Sequence, residues 1–411
     1  MKTDSAKNIS LHYGWVIIAL GFLVIFNALG LARFAYGVFL PGMQNGLGLS
    51  YERLGFIGTS NFAGYLLAVI VTPFLIRRFQ HRASISAGLL LISLCMFSIS
   101  RSSSFVMILM LFTLVGVGSG FANVSMMVLL PHWFRSQERG KAAGIICGGS
   151  GLGIIISGFL IPYLNQNLGA DGWRSGWLIF SIISLGIAIG AALFLRNTPA
   201  EMGLEPMGEA VTVTTEQFKP RNDSGKGALL LRLGILYLLF GITFMVYGTF
   251  IVATMVKEFG FSEAKAGLYW SWVGFFSLFS GVVFGTISDR IGRKKGLALV
   301  FLVQAAANIL VGFNFGTPGI VISIMLFGLA FFAIPAIMAA TVGDYLGASG
   351  AANAFVMITI FFAVGQTIGP GGAGVIAGMT GTFSTTYLLS ALLTVSAAAL
   401  AMTLPAPPEA P

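Results

Sequence analysis

Long runs of apolar residues, separated by short polar segments, make up most of this chain. A helix needs about 20 apolar residues to cross the hydrocarbon core of a bilayer. Twelve runs reach or approach that length, so we predict twelve membrane-spanning helices. They are predicted at residues 14–40, 54–76, 83–100, 105–130, 141–164 and 173–195, and at residues 229–256, 266–288, 296–314, 317–341, 351–378 and 384–404. The pattern therefore predicts an all-α membrane protein.

One long polar stretch, from residue 196 to residue 228, interrupts the apolar runs. It contains acidic residues and prolines without apolar periodicity, which favours a cytoplasmic linker over a folded domain. The linker divides the chain into two predicted six-helix bundles, residues 1–195 and residues 229–411.

A short pattern repeats in the two halves at an offset of 212 residues. Gly-Leu-Ser begins at Gly48, after the first helix, and Gly55 follows it. Gly-Phe-Ser begins at Gly260, after the seventh helix, and Gly267 follows it. Six plus six helices in the same orientation indicate parallel, pseudo-symmetric repeats about an axis along the membrane normal.

The composition agrees with a membrane environment, because 56% of the residues are hydrophobic and only 9% are charged. Soluble domains carry about 25% charged residues. The net charge of +9 follows the topology rather than a nucleic-acid partner. With a cytoplasmic N-terminus, the outer loops hold only Arg53, Arg101, Arg174, Lys257 and Lys265 among the basic residues. We therefore predict a multi-pass protein of the bacterial inner membrane with both termini in the cytoplasm.

Little in the chain suggests catalysis. Cys95 and Cys147 lie in apolar runs, and the three histidines lack metal-ligand spacing. The chain has no G-x-x-x-x-G-K-[ST] nucleotide loop. We expect no enzyme activity, no metal and no cofactor. We also expect a monomer whose partners are the lipid bilayer and a small molecule.

The loop after the eighth helix carries the most specific motif of the chain. It places Gly285, Asp289, Arg290, Gly292 and Arg293 in the order G-x-x-x-D-R-x-G-R-K. This loop resembles the signature loop of the major facilitator superfamily, which implies a twelve-helix secondary transporter. The resemblance also implies a gating loop that clamps neighbouring helix ends in one conformation. A simple positive-inside anchor is the alternative, but it would explain neither Asp289 nor Gly292.

Two glycine-rich helices support the same resemblance. Gly148 and Gly153 lie on the fifth helix, and Gly365, Gly369 and Pro370 lie on the eleventh. We expect these residues to serve helix packing and bending rather than ligand contact.

Two further segments are similar to the monocarboxylate and oxalate/formate branch of the superfamily. They are Trp133-Phe134 with Arg139-Gly140-Lys141, and the Tyr13-Gly14-Trp15 opening of the first helix. The chain also departs from the family pattern. Residues 75–82, after the second helix, lack the aspartate and the glycines of the signature loop, and the eighth helix has no charge before Asp289.

Arg33 lies deep inside the first predicted span. An arginine at the bilayer centre costs at least about 2.5–3.5 kcal/mol on insertion scales, so it usually faces a cavity or a partner. Gly30 and Gly37 share its helical face and leave room beside it. Its guanidinium matches a carboxylate, which predicts an anion clamp. The alternative is a structural arginine that snorkels to the nearer membrane surface.

Other polar residues inside the spans could also contact a substrate, or could bond from helix to helix. They are Tyr36, Asn61, Tyr65, Asn123, Tyr247, Tyr269 and Gln366. By contrast, none of the 14 acidic residues lies deep in a predicted span. This argues against a proton relay built on carboxylates.

These features together predict a secondary transporter that moves a small solute by alternating access around a midplane site. The expected substrate is an organic anion such as a monocarboxylate. Two alternatives remain. One is the efflux of apolar or drug-like compounds, consistent with the 36 phenylalanines. The other is a membrane sensor that binds a solute without moving it.

Overall fold

The computed structural model describes residues 12–209 and 226–405, and the chain is almost entirely helical within these ranges. Eleven continuous helices in the described chain are long and apolar enough to cross a membrane. The longest of them, Tyr51–Arg101, contains the non-helical residue Gln80, with φ +65° and ψ 174°. This helix therefore forms two spans, and the described chain holds the predicted number of twelve.

The helices of the first half are α1 (Gly14–Leu47), α2 (51–79), α3 (81–101), α4 (Phe105–Trp133), α5 (Gln137–Leu168) and α6 (Gly172–Phe194). Those of the second half are α7 (Gly227–Lys257), α8 (Glu263–Ile291), α9 (Arg293–Gly312), α10 (Gly316–Leu346), α11 (Asn353–Thr380) and α12 (Ser384–Met402). Helix α1 runs about two turns beyond its predicted end at residue 40. It stops only where Gly48 adopts a left-handed conformation, with φ +62°.

Asn197, which follows α6, forms two hydrogen bonds across the helix break at Gln80. Its Nδ2 donates to Gln80 Oε1 at 2.9 Å, and its Oδ1 accepts from the backbone N–H of Arg82 at 2.9 Å. A single amide therefore joins the α2–α3 corner to the end of α6. This corner is the one whose sequence lacks the signature aspartate and glycines.

The first part of the predicted linker packs on the first half. The backbone N–H of Met207 donates to Trp133 O at 2.8 Å, and that of Arg135 donates to Met207 O at 3.0 Å. Arg135 also forms an ion pair with Glu205 at 2.7 Å. Residues 210–225 of the linker lie outside the described residues.

Helices α1–α6 pack against one another, and so do helices α7–α12, which makes two six-helix bundles. Most of the packing between the bundles comes from three helix pairs. These pairs are α1 with α7, α2 with α11, and α5 with α8.

The α5–α8 pair meets along a glycine seam, in which backbone lies directly against backbone. Two glycine pairs form it, Gly151 with Gly274 and Gly158 with Gly267. A Cβ added at Gly274 would lie 2.7 Å from the carbonyl oxygen of Gly151, closer than a Cβ can approach. Small residues of this kind let membrane helices approach closely where hydrophobic association is weak.

The seam opens towards one end of the molecule. The two glycine pairs are seven residues apart on each helix. The same spacing would next bring Gly144 of α5 against Gly281 of α8. A Cβ added at Gly144 would have no described atom within 4 Å, and one added at Gly281 would touch only Ala336 of α10. Helices α5 and α8 therefore diverge beyond Gly151.

The α2–α11 pair repeats the glycine contact of α5 and α8. A Cβ added at Gly55 would lie 3.1 Å from Gly374 Cα, and the reverse distance is also 3.1 Å. Gly55 is the repeat partner of Gly267, which lies in the α5–α8 seam. The repeated glycines therefore occupy equivalent contacts between the two bundles.

Polar contacts close the bundle at the end where α1 stops and α2 begins, here termed the α1–α2 end. Lys257 Nζ donates to Asn45 Oδ1 at 2.7 Å, and Asn165 Nδ2 donates to Glu263 Oε2 at 2.6 Å. Both bonds join one half to the other. The two halves are thus joined at the α1–α2 end, whereas α5 and α8 diverge towards the opposite, α2–α3 end.

Candidate functional site

Helix α1 changes its winding where it reaches the centre of the molecule. Residues Phe26–Phe34 form a π-helix, and the backbone N–H of Ala35 donates to Gly30 O, five residues back, at 3.0 Å. The wider turn alters which backbone groups pair along the helix. Ser119 Oγ on α4 donates to the Ala28 carbonyl oxygen at 2.5 Å. Short π-helical segments are frequent at functional sites.

Arg33 lies at the end of this segment and is only 7% exposed. Two rings of α2 cover its guanidinium, because the Arg33 Cζ lies 4.5 Å from the Phe62 ring centroid and 4.6 Å from that of Tyr65. Such cation–π contacts stabilise a buried cation. Arg33 forms no ion pair with any acidic residue that the structure describes.

Gln366 of α11 takes the place of an acidic partner. Arg33 Nη2 donates to Gln366 Oε1, although the two residues are 333 positions apart in the chain. The bond connects the two halves at the centre of the molecule. Gln366 is 3% exposed, and Arg33 Nε, on the same edge of the guanidinium, has no partner among the described atoms.

The glycine-rich part of α11 fixes Gln366 against α7. A Cβ added at Gly365 would clash with the Leu238 carbonyl oxygen, and one added at Gly369 would lie 2.7 Å from that of Ile242. Pro370 follows within the helix and cannot donate a backbone hydrogen bond to the Gln366 carbonyl. The predicted packing residues of α11 therefore lie beside a predicted substrate residue.

The predicted packing residues of α5 lie against α1. A Cβ added at Gly153 would lie 2.5 Å from Gly30 Cα, so the two backbones touch three residues before Arg33. Gly148 lies near Phe22 of α1 and Leu278 of α8, each 3.7 Å from an added Cβ.

A small cavity lies beside Arg33, between the two halves. Its lining residues come from α1, α2, α4 and α7: Arg33, Phe34, Tyr36, Gly37, Gly58, Asn61, Phe62, Phe112, Met245, Gly248 and Thr249. The enclosed space has room for about one water molecule. Two buried polar atoms here lack described partners, the donor Arg33 Nε and the acceptor Asn61 Oδ1.

Six of the eight predicted substrate residues lie together. Tyr36 and Asn61 line the cavity with Arg33, Tyr65 stacks on the guanidinium, and Gln366 bonds to it. Asn123 joins the group indirectly, because its Nδ2 donates to the Tyr65 hydroxyl at 2.7 Å. The Tyr36 hydroxyl itself donates to the Leu54 carbonyl at 2.8 Å.

The other two predicted substrate residues lie elsewhere. The Tyr247 hydroxyl pairs with Ser323 Oγ at 2.6 Å, inside the second half. Tyr269 packs against Phe261 and Trp272 near the α1–α2 end.

Phe62 and Met245 belong to the site but were not singled out from the sequence. Met245 lies 212 residues after Arg33, so the repeat offset is a signal that pointed to it. Phe62 follows Asn61 directly, and nothing distinguishes it in sequence from the other phenylalanines.

The signature loop forms a compact ionic cluster at the α2–α3 end. Arg293 pairs with Asp289 of the same loop and, at 2.5 Å, with Asp344 on α10. Gly292 has φ +91°, a conformation that favours glycine and turns the chain between α8 and α9. Arg290 is exposed, and Gly285 has open space beside it. The cluster joins α8, α9 and α10 within the second half.

The chain matches the family model described as "Uncharacterised MFS-type transporter YbfB" over residues 25–402. It is 25% identical to the hexuronate transporter of Bacillus subtilis (strain 168), a match that covers 89% of each chain. It is 22% identical to monocarboxylate transporter 2 of Homo sapiens, over 94% of this chain and 84% of that one.

The fold also matches that of solved transporters. A bacterial homologue of the human lysosomal transporter Spinster superposes with a TM-score of 0.75, at 14% identity, over 96% of this chain and 97% of the other. The family match spans eleven of the twelve helices in full and part of the first. The chain therefore belongs to the major facilitator superfamily, in the MFS-type transporter family defined by that model.

Proposed function

We propose that this transporter moves a small organic monoanion and that Arg33 provides the counter-charge. The observation that carries the proposal is a buried guanidinium, between the two halves, with no acidic partner among the described residues. An uncompensated charge is expensive inside a membrane, so a buried arginine of this kind favours an anionic ligand. The relatives named as hexuronate and monocarboxylate transporters support an anionic substrate.

The distribution of Lys and Arg supports the orientation. The signature loop and the α2–α3 corner are rich in basic residues, which favours the cytoplasmic side for the α2–α3 end. The molecule is then closed towards the outside and spread towards the cytoplasm. Alternating access follows if the halves rock about the central contacts near Arg33.

Coupling does not require a membrane carboxylate. Because no acidic residue lies deep in a predicted span, the charge of the anion is balanced by exchange for another anion or by a proton that travels with it. The Asp289–Arg293–Asp344 cluster serves as the gating loop in this proposal, since it ties three helix ends together at the opening end.

A second candidate is the efflux of apolar compounds, and one observation favours it. Phe34, next to Arg33, lies edge-on to Phe244 and to Phe331. The distances between ring centroids are 6.2 Å and 5.2 Å. These rings connect the central site to an aromatic cluster of the second half. An aromatic surface of this kind accepts apolar ligands.

Counterflow into proteoliposomes tests the proposal. Liposomes loaded with unlabelled propionate should accumulate labelled propionate through the wild type, and the Arg33→Gln variant should lose this activity. Arg53→Gln, at an exposed position of α2, is the matched control and should retain it. Uptake that survives Arg33→Gln contradicts the proposed role. Uptake of a lipophilic cation alone indicates the efflux function, and binding without counterflow indicates a sensor.

A further inference from the structure

We infer that Gln366 competes with the substrate for Arg33, and that a compact monocarboxylate must displace its amide in order to bind. The inference rests on the proposed function and adds to it a residue that sets the affinity for the substrate. It also reverses the ordinary expectation for a polar residue in a binding site, which is that it adds affinity.

A ligand can reach Arg33 from only some directions. A guanidinium donates hydrogen bonds only in its own plane. Phe62 and Tyr65 lie over that group, at 4.5 Å and 4.6 Å from Cζ to the ring centroids. A ligand must therefore approach along an edge of the guanidinium.

One edge of the Arg33 guanidinium is only half occupied. The Nε and Nη2 donors of an arginine lie side by side and together match the two oxygens of a carboxylate. Gln366 Oε1 accepts only from Nη2, which leaves Nε buried without a described partner. An amide oxygen therefore half-fills an edge that a carboxylate fills completely. A carboxylate also adds the attraction between opposite charges, which a neutral amide lacks.

Gln366 and Arg33 lie on different halves of the molecule. It is carried by α11, which Gly365 and Gly369 hold against α7, whereas Arg33 is carried by α1. Displacing Gln366 replaces a bond between the halves with a bond from Arg33 to the substrate. Anion binding thereby removes one of the central links that hold the two halves together.

The lining of the cavity defines the class of anion. Arg33 is the one charged residue among the described residues that line it, so a second carboxylate would have no counter-charge there. The other lining side chains are uncharged, and they include the apolar Phe34, Phe62, Phe112 and Met245 as well as the polar Tyr36, Asn61 and Thr249. The site accordingly fits an anion with a single carboxylate.

The test is the affinity of purified protein for propionate, measured by thermal shift across a concentration series. Gln366→Leu removes the acceptor and keeps the volume, and we expect its dissociation constant to fall by about ten-fold. Gln366→Glu supplies a tethered carboxylate, and its propionate binding should be lost. Gln304→Leu, at a glutamine of α9 that is equally buried but does not bond to Arg33, is the matched control and should bind like the wild type.

Two probes and one backup variant complete the experiment. Propionamide, which lacks the charge, and succinate, which has two charges, should each bind more weakly than propionate. If Gln366→Leu does not fold, Gln366→Asn is the substitute. Its side chain is shorter by one methylene, so the amide is drawn away from Arg33 and the dissociation constant for propionate should again fall.

Weaker or unchanged propionate binding in the Gln366→Leu protein overturns the inference and leaves the anion site standing. Propionate binding that survives Arg33→Gln overturns the proposed function beneath it. The two failures are distinguishable because they involve different variants.

Discussion

Asn45 and Lys257 are equivalent residues of the two repeats, 212 positions apart, and they bond to each other at 2.7 Å. A residue can contact its own repeat partner only near the axis that relates the halves. Gly37 and Thr249 show the same relationship, because a Cβ added at Gly37 would lie 2.9 Å from Thr249 O. The α1–α7 contact therefore lies near the pseudo-twofold axis, and another equivalent pair, Arg33 and Met245, lines the central cavity.

The charge at position 45 should set the balance between open and closed α1–α2 ends. Asn45→Asp converts the bond into an ion pair and favours closure, whereas Asn45→Lys places two cations together and favours opening. The pair is solvent-exposed, so each shift is expected to be no more than about five-fold. The distribution of distances between spin labels on α1 and α7 measures the balance between the open and closed states. Shifts of the same sign in both variants would contradict this prediction.

The glycine seam should tolerate substitution only where it is open. Gly267→Ala forces a methyl group against the Gly158 backbone and should destabilise the closed α1–α2 end, with a loss of about 1–3 kcal/mol. Gly144→Ala, on the same seam, meets no described atom within 4 Å and should be neutral or stabilising by about 0.5–1 kcal/mol. Thermal unfolding and counterflow of the two variants check this. Equal sensitivity at both positions would mean that the seam is closed along its whole length.

Thr59 of α2 should matter more than an exposed threonine. Its hydroxyl donates to Thr367 O at 2.7 Å and accepts from the backbone N–H of Gly371 at 2.9 Å, so it bridges the helix where Pro370 interrupts it. Thr59→Val leaves both backbone groups unpaired and should cost about 1–3 kcal/mol of stability. Thr59→Ser keeps the hydroxyl and should retain the stability of the wild type. The matched control is Thr380→Val, whose exposed hydroxyl bonds within its own helix turn. Comparable melting temperatures for Thr59→Val and wild type would refute the prediction.

The signature-loop cluster should affect the rate of transport more than stability. Arg293 bridges Asp289 and Asp344, both of which are largely exposed, and exposed ion pairs contribute about 0–1 kcal/mol each. Arg293→Gln and Asp289→Asn should each slow counterflow several-fold with little change in melting temperature. Arg290→Gln, which removes an exposed charge outside the cluster, serves as the control. Unchanged counterflow in Asp289→Asn would leave the loop as a simple topological anchor.

The sequence predicted well those features that depend on local composition. Twelve spans follow from the lengths of the apolar runs alone. The helix break at Gln80 falls in the predicted loop between the second and third spans. The burial of Arg33 was also expected, because the residue lies deep inside an apolar run. The family followed from the Asp289 loop, where the order of charged residues and glycines is specific.

The sequence alone determined the class of molecule, the number of membrane-spanning helices and the presence of a cation deep in an apolar run without acidic neighbours in sequence. Only the tertiary structure decided what that cation contacts. Gln366 approaches Arg33 from 333 residues away, and Tyr247 and Tyr269 lie apart from it although they have the same kind of sequence context. Spacing along a helix fixes which residues share a face, but the rotation and docking of that helix depend on contacts such as Gly153 against Gly30. Contacts of this kind join residues that are distant in the chain, and local patterns do not record them.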